Sequence, residues 1–283
     1  MWVSGLKCIC MVIAGQDSRD SDQFHAPGTK GGWSCVAAPP QTGDWSIMTK
    51  GIVYVALGGK YIEYAMRSAA TALRVSPGLP TALFTNDPDM LPKLNPFTKV
   101  RELKLAVRRP GARKTAKMMA LAGSPFEDTI FLDADTRVIR SIDHLFALLD
   151  TSDIAMSYSA RRVNAHAPYM IPDWFPEYSS GVIVYRRNAV TARLFQLWRD
   201  LHAEYLDKYG IASDQVPLRK VLYDHAKEFS VHVLPNEYNC YVEKPVTVGG
   251  KVYILHGRSE NIINAESFVL GSGIRSYVPV EKR

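Results

Sequence analysis

Thr129-Ile130-Phe131-Leu132-Asp133-Ala134-Asp135-Thr136-Arg137-Val138-Ile139 is an apolar run that stops on two carboxylates one residue apart and then resumes. A short run of β-branched and aromatic residues reads as a buried strand. In an open α/β sheet, ligands sit at the carboxyl ends of the strands, where Asp133 and Asp135 emerge. Side chains two apart on an extended backbone point the same way, so both carboxylates can reach one divalent cation or the phosphates it carries.

Upstream of this run, Gly51 to Leu57 reads as a first strand and Gly58-Gly59 as a turn. Ile62, Ala65, Met66, Ala69, Ala72 and Leu73 then mark one face of a helix. Thr81 to Thr85 and Lys99 to Leu105 read as strands, and Ala112 to Leu121 as a helix carrying Lys114 and Lys117. Downstream, His144 to Leu149 reads as a short helix, and Asp153 to Ser157 and Gly181 to Tyr185 as strands. Ala189 to Leu206 and Asp214 to Tyr223 follow as helices, then Phe229 to Leu234 and Val252 to Leu255 as strands. Strands alternating with helices through short connections argue for an α/β fold with a Rossmann-like, mostly parallel central sheet flanked by helices. Residues 159 to 179 form a long connection bearing Tyr169, Trp174, Phe175 and Tyr178. Loops of that length are uncommon unless they are functional, and aromatic faces make good platforms for a sugar or serve as packing.

The chain of 283 residues accommodates one large α/β domain with a tail. Residues 1 to 49 mix Gly, Ser, Asp, Pro and Gln without a sustained period and read as a flexible extension, leaving 50 to 283 as the domain. Met48, directly before the first clear element, is a candidate start of the functional chain. A composition 47% hydrophobic and 22% charged is that of a soluble globular protein. The net charge of +6 is spread along the chain, which suits an anionic ligand and disfavours nucleic acid as a partner. The pairs Arg108-Arg109, Arg161-Arg162 and Arg186-Arg187 read as solvated surface. Three of the four cysteines, Cys8, Cys10 and Cys35, fall in the tail, which argues against a disulfide scaffold and for a reducing, cytoplasmic setting. Cys240 reads as a buried structural thiol. The longest early apolar run, Cys8 to Gly15, is far short of the roughly 18 to 20 residues of a membrane span, and no convincing signal-peptide cleavage site follows it.

Asp-x-Asp also occurs in phosphatases of the haloacid-dehalogenase type, but those need a threonine two places beyond the second aspartate, where this chain has Arg137. Several separated pieces instead resemble the nucleotide-sugar glycosyltransferases of the GT-A fold, and among them the family of glycogenin and the bacterial lipopolysaccharide galactosyltransferases. Val53-Tyr54-Val55-Ala56 with Tyr61 is similar to the family's first strand and the tyrosine that packs on uracil. Lys117 stands before Asp133 at the family's spacing, Ser179-Ser180-Gly181-Val182-Ile183-Val184-Tyr185 is similar to its Asn-Ser-Gly-Val-x-Val-Tyr segment, and Asp214-Gln215 to its Asp-Gln pair. Tyr253-Ile254-Leu255-His256 is similar to the late strand whose histidine completes a metal site.

The resemblance implies a metal-dependent hexosyltransferase using a nucleotide sugar, UDP-linked, and an acceptor hydroxyl on a glycan, protein or small molecule. Asp133, Asp135 and His256 would hold Mn2+ or Mg2+, with the imidazole tilting the choice towards Mn2+. Ala56, Tyr61, Ala134 and Ser180 would line the donor site, and Lys117 and Arg258 would add positive charge beside the phosphates. Asp214 and Gln215 would lie at the reacting sugar. Retention of the anomeric configuration is implied, with the acceptor attacking from the leaving-group side. An inverting enzyme would need a carboxylate base, for which Asp173, Glu177 and Asp214 are candidates. Asp214 also reads as a plain helix cap. The chain departs from the family in three places. His256-Gly257-Arg258-Ser259-Glu260 stands where a Lys-Pro-Trp segment usually touches the diphosphate, Ile211 replaces a carboxylate, and Ser179 replaces an asparagine. These departures leave open a silent relative that binds a nucleotide sugar or glycan without transferring it.

Overall fold

The computed structural model describes residues 48–104, 111–159, 171–258, 265–271 and 273–279, all within the unit Pro40–Arg283. The expected extension up to residue 47 lies outside the described residues, as do Arg108, Arg109, Arg161, Arg162 and Tyr169. Met48 and Thr49 belong instead to the first strand.

Strand β1 (Met48–Ala56) leads through Gly58 into helix α1 (Gly59–Val75). The helix buries Ile62, Ala65, Ser68, Ala69 and Ala72 on one stripe, as its apolar spacing dictates. Next come β2 (Thr81–Thr85), β3 (Lys99–Glu102), α2 (Ala112–Ala122) and β4 (Phe126–Leu132). After the short β5 (Thr136–Val138), a 3-10 helix over Asp143–Asp150 leads to β6 (Ile154–Ser159). The chain continues through β7 (Glu177–Arg186), α3 (Ala189–Tyr209), α4 (Gln215–Asp224) and β8 (Val231–Leu234).

Seven strands form the main sheet in the order β3-β2-β1-β4-β7-β6-β8. β1 pairs in parallel with β2 and β4, whereas β7 runs antiparallel to both β4 and β6. Alternate residues of the central strands enter two cores, since successive side chains point to opposite faces. Ile52, Tyr54, Ile130, Leu132, Val182 and Val184 pack with α1 on one face. Val53, Phe84, Phe131, Ile183, Tyr185 and Trp198 pack with α2 and α3 on the other. Burial on both faces explains why these strands read as unbroken apolar runs.

Beyond the main sheet, β9 (Cys240–Tyr241) and β11 (Ile254–His256) join β5 in a three-stranded sheet, and β10 (Val246–Val248) pairs with β12 (Arg275–Tyr277). The helix α5 (Glu266–Leu270) precedes β12. The main departure from the sequence reading is β7, which starts at Glu177 rather than Gly181 and turns the end of the expected long connection into sheet. Ser179 and Ser180 lack the apolar character that marks a strand, yet Tyr178 and Ser179 pair with Tyr158 and Ser157 across a register shift in β6. Strand β3 ends at Glu102, and the segment expected as a helix near His144 adopts the tighter 3-10 form.

Candidate active site

β4 stops at Leu132, and the Asp-x-Asp lies on a tight turn rather than on extended backbone. The Asp133 amide donates to the Gly181 carbonyl at 2.8 Å, and Thr136 closes the turn by bonding the Asp133 carbonyl through both its amide, 3.2 Å, and its hydroxyl, 2.8 Å. Ser68 of α1 holds that hydroxyl at 2.7 Å. The two carboxylates therefore converge through turn geometry, not through the period of a strand.

His256 is brought opposite this turn by β11, which pairs His256 with Thr136 on β5 and with Tyr241 on β9. Immediately beyond it, Gly257 donates its amide to the Asp135 carbonyl at 2.9 Å with φ +142°, a conformation that favours glycine. Nε2 of His256 lies 3.4 Å from Asp135 Oδ1 and 3.8 Å from Asp133 Oδ2, and one ligand atom from each of the three residues falls within 4.8 Å of the others. Nδ1 lies 2.8 Å from Asn239 Oδ1, and Asn239 in turn donates Nδ2 to Ser179 Oγ at 2.9 Å. Asn239 thus anchors the ring through Nδ1 and leaves Nε2 turned towards the carboxylates, the nitrogen a metal would take. Close approach also requires Gly181, because a Cβ there would stand 2.3 Å from the imidazole Cε1. Burial works to raise the Asp135 pKa, but the hydrogen bond and charge of His256 outweigh it and hold the carboxyl near 2. Two carboxylates and an imidazole nitrogen fit a divalent cation of the Mn2+ or Mg2+ kind.

A second cluster adjoins the first. Lys117 of α2 is buried, and its ammonium contacts Asp133 Oδ1 at 2.8 Å, the Ser180 carbonyl and hydroxyl at 3.1 Å each, and Asp214 Oδ2 at 3.4 Å. Asp214 accepts also from Ser180 Oγ at 2.8 Å and pairs with Lys114 at 3.0 Å, and its carbonyl accepts from Trp198 Nε1 at 2.7 Å. Desolvation would neutralise both groups. The two carboxylates instead raise Lys117 above the usual lysine range, and the two lysines hold Asp214 well below the usual carboxylate range. Asp214 opens α4 without a side-chain capping bond, so the capping role does not account for it.

Both clusters open into a cleft of about 410 Å³. It lies at the carboxyl ends of β1 and β4 and, because β7 runs the other way, at the start of β7. Tyr61, Lys117, Asp133, Ala134, Asp135, Ser180, Asp214, Gln215 and His256 all line it. Four other candidates lie elsewhere. Ala56 turns into the α1 core, while its neighbours Val55 and Leu57 reach the cleft. Asp173 is exposed on a turn, and Glu177 is buried in β7. Arg258 faces a shallow neighbouring recess and lies 3.6 Å from Glu243. The cleft also holds residues the sequence reading left unassigned. The Arg113 guanidinium covers the Tyr61 ring at 4.3 Å and donates to its hydroxyl at 3.0 Å, and Lys114, Asn239, Tyr241 and Lys244 complete the walls. Lys114, one helical turn before Lys117, was legible from spacing. The others carry no local signal.

Cys240 is free and buried, and desolvation pushes its thiol up to about 12, as expected for a structural cysteine. Among the described residues, no helix is long and apolar enough to cross a membrane.

Residues 49–150 match a family model described as "Mannosyltransferase putative". The match spans Tyr61, Lys117 and both aspartates of the turn. Comparison with curated proteins finds no match. Among solved structures, the apo form of mouse xyloside xylosyltransferase 1 is similar at 14% identity and a TM-score of 0.50, over 76% of this chain and 99% of that one. A likeness at that identity concerns the fold, which is the expected GT-A fold. The family match covers the segment that carries the Asp-x-Asp turn.

Proposed function

We propose that the protein is a metal-dependent glycosyltransferase that moves a hexose from a nucleotide sugar, UDP-linked, to an acceptor hydroxyl with retention of configuration. The observation that carries this reading is the convergence of Asp133, Asp135 and the imidazole of His256 on one point of the cleft. These three residues would hold a divalent ion, which would supply positive charge to a departing nucleoside diphosphate. Lys117 keeps Asp214 ionised and holds Asp133 in place without entering the reaction. Ser180 and Gln215 line the space a sugar would fill.

The acids support retention. Of the candidate bases for an inverting reaction, Asp173 and Glu177 do not line the cleft. Asp214 does, but two lysines lower its proton affinity, which makes it a weak base. In the retaining course, the bond from the anomeric carbon to the diphosphate breaks, the acceptor oxygen bonds to that carbon from the same side, and the departing phosphate takes the acceptor proton. The family description makes mannose the first sugar to try.

The test is nucleotide release from a panel of UDP-sugars and GDP-mannose with Mn2+, with and without a chelator. Turnover of one donor, abolished by chelation, is expected. Turnover that survives chelation removes the metal-dependent reading. Metal-dependent binding without release, across donors and acceptors, identifies the silent binder.

A further inference from the structure

We propose that Lys244, on the turn between β9 and β10, grips the donor diphosphate. The inference rests on the nucleotide-sugar reading above. A diphosphate entering the cleft needs cationic partners, and among the described residues four lysines and arginines line the walls: Arg113, Lys114, Lys117 and Lys244. An ammonium has three N–H donors. Those of Lys117 are already committed to Asp133, Ser180 and Asp214, so releasing one would strip a buried carboxylate of its partner. Lys114 is engaged with Asp214, and Arg113 is folded over Tyr61. Lys244 is exposed and has no ion pair or side-chain hydrogen bond among the described residues.

Its backbone brings it to the cleft that the candidate metal ligands also line. The Lys244 amide donates to the Tyr241 carbonyl at 3.3 Å, which makes the turn start from Tyr241. Tyr241 pairs with His256 in register, and the two rings lie 4.6 Å apart. Pro245 follows and restricts the Lys244 backbone to extended conformations, so the lysine is presented with little backbone freedom left to lose. Arg258, the replacement suggested by sequence, is held instead by Glu243, whose carboxylate accepts the Arg258 amide at 3.1 Å and faces the guanidinium at 3.6 Å. Glu243 therefore offsets the charge of Arg258 and leaves that of its neighbour Lys244 uncompensated.

The experiment is calorimetric titration of the full chain with UDP, GDP and uridine in Mn2+, comparing wild type with Lys244→Ala, Lys244→Arg and Arg258→Ala. Lys244→Ala is expected to weaken nucleoside-diphosphate binding about tenfold to a hundredfold, as loss of a charge-assisted hydrogen bond does. Uridine binding and thermal unfolding should stay unchanged, Lys244→Arg should restore most of the affinity, and Arg258→Ala should fall within about twofold of wild type. Wild-type diphosphate affinity in Lys244→Ala, or a larger loss in Arg258→Ala, overturns the assignment while leaving the nucleotide-sugar reading intact. Failure of the wild type itself to bind either diphosphate overturns both.

Discussion

Asp214 shows how a single residue can carry charge where the surroundings oppose it. It is buried with a side chain 3% exposed, yet Lys117, Lys114 and Ser180 keep it ionised. Removing one partner from a buried ion pair costs about 3–5 kcal/mol, because the remaining charges lose compensation. Asp214→Asn is therefore expected to lose about that much stability at pH 7, read from the urea midpoint. The folded-state pKa lies below the ordinary value of 3.8, so this stabilisation is fully present above that pH. As the pH falls below it, the unfolded chain takes up the proton first and the advantage of wild type over Asp214→Asn shrinks. A gap that stays constant from pH 7 to pH 3 would show that the charge of Asp214 is not what stabilises the site. Gly181 makes the complementary point with no charge at all, since its missing Cβ is what lets His256 approach Asp133.

The elements divide between those that build the scaffold and those that bring ligands to it. Helix α3 is of the first kind. Its cap Asn188 accepts from the Thr191 amide at 2.9 Å, Thr191 accepts from the Asn188 amide at 3.2 Å, and Asn188 Nδ2 reaches Asp153 just before β6 at 3.0 Å. Asn188→Ala should cost about 1–2 kcal/mol in chemical denaturation and leave nucleotide affinity at its wild-type value. A change in affinity would mean that α3 positions α4 and Asp214 more directly than the packing of Trp198 suggests. Strands β9 and β11 are of the second kind. They are two and three residues long, and their role is to carry Tyr241 and His256 to the Asp-x-Asp turn.

On the scale of the whole molecule, the candidate metal site joins two sheets. Asp133 and Asp135 leave the main sheet at the end of β4, and His256 ends a strand of the smaller one. An ion bound by all three would favour only the folded arrangement. Mn2+ at a hundred times its Kd should therefore raise stability by about 2.7 kcal/mol, reversed by chelation, through linkage alone. Scanning calorimetry with Mn2+ and with chelator checks this, and an unfolding temperature indifferent to both would argue that the three residues do not share an ion.

Local pattern was enough for the α/β class and for most strand and helix positions, because periodicity and turn residues act over a few neighbours. It was also enough to place Asp133 and Asp135 at a strand end, and the family resemblance added His256, Lys117 and Asp214. What only the tertiary structure decided is which groups meet. Ala56 packs in the α1 core while Leu57 packs in the other core and borders the cleft, β7 runs antiparallel and starts at Glu177, and Lys117 is already saturated. Asn239 anchors the ring of His256, and Lys244 stands open on its turn. These facts depend on contacts between residues far apart in the chain, such as Thr136 with His256 and Lys117 with Ser180. Strands as short as β9 have no pattern of their own to read, since their hydrogen bonds are completed by neighbours that only folding brings alongside.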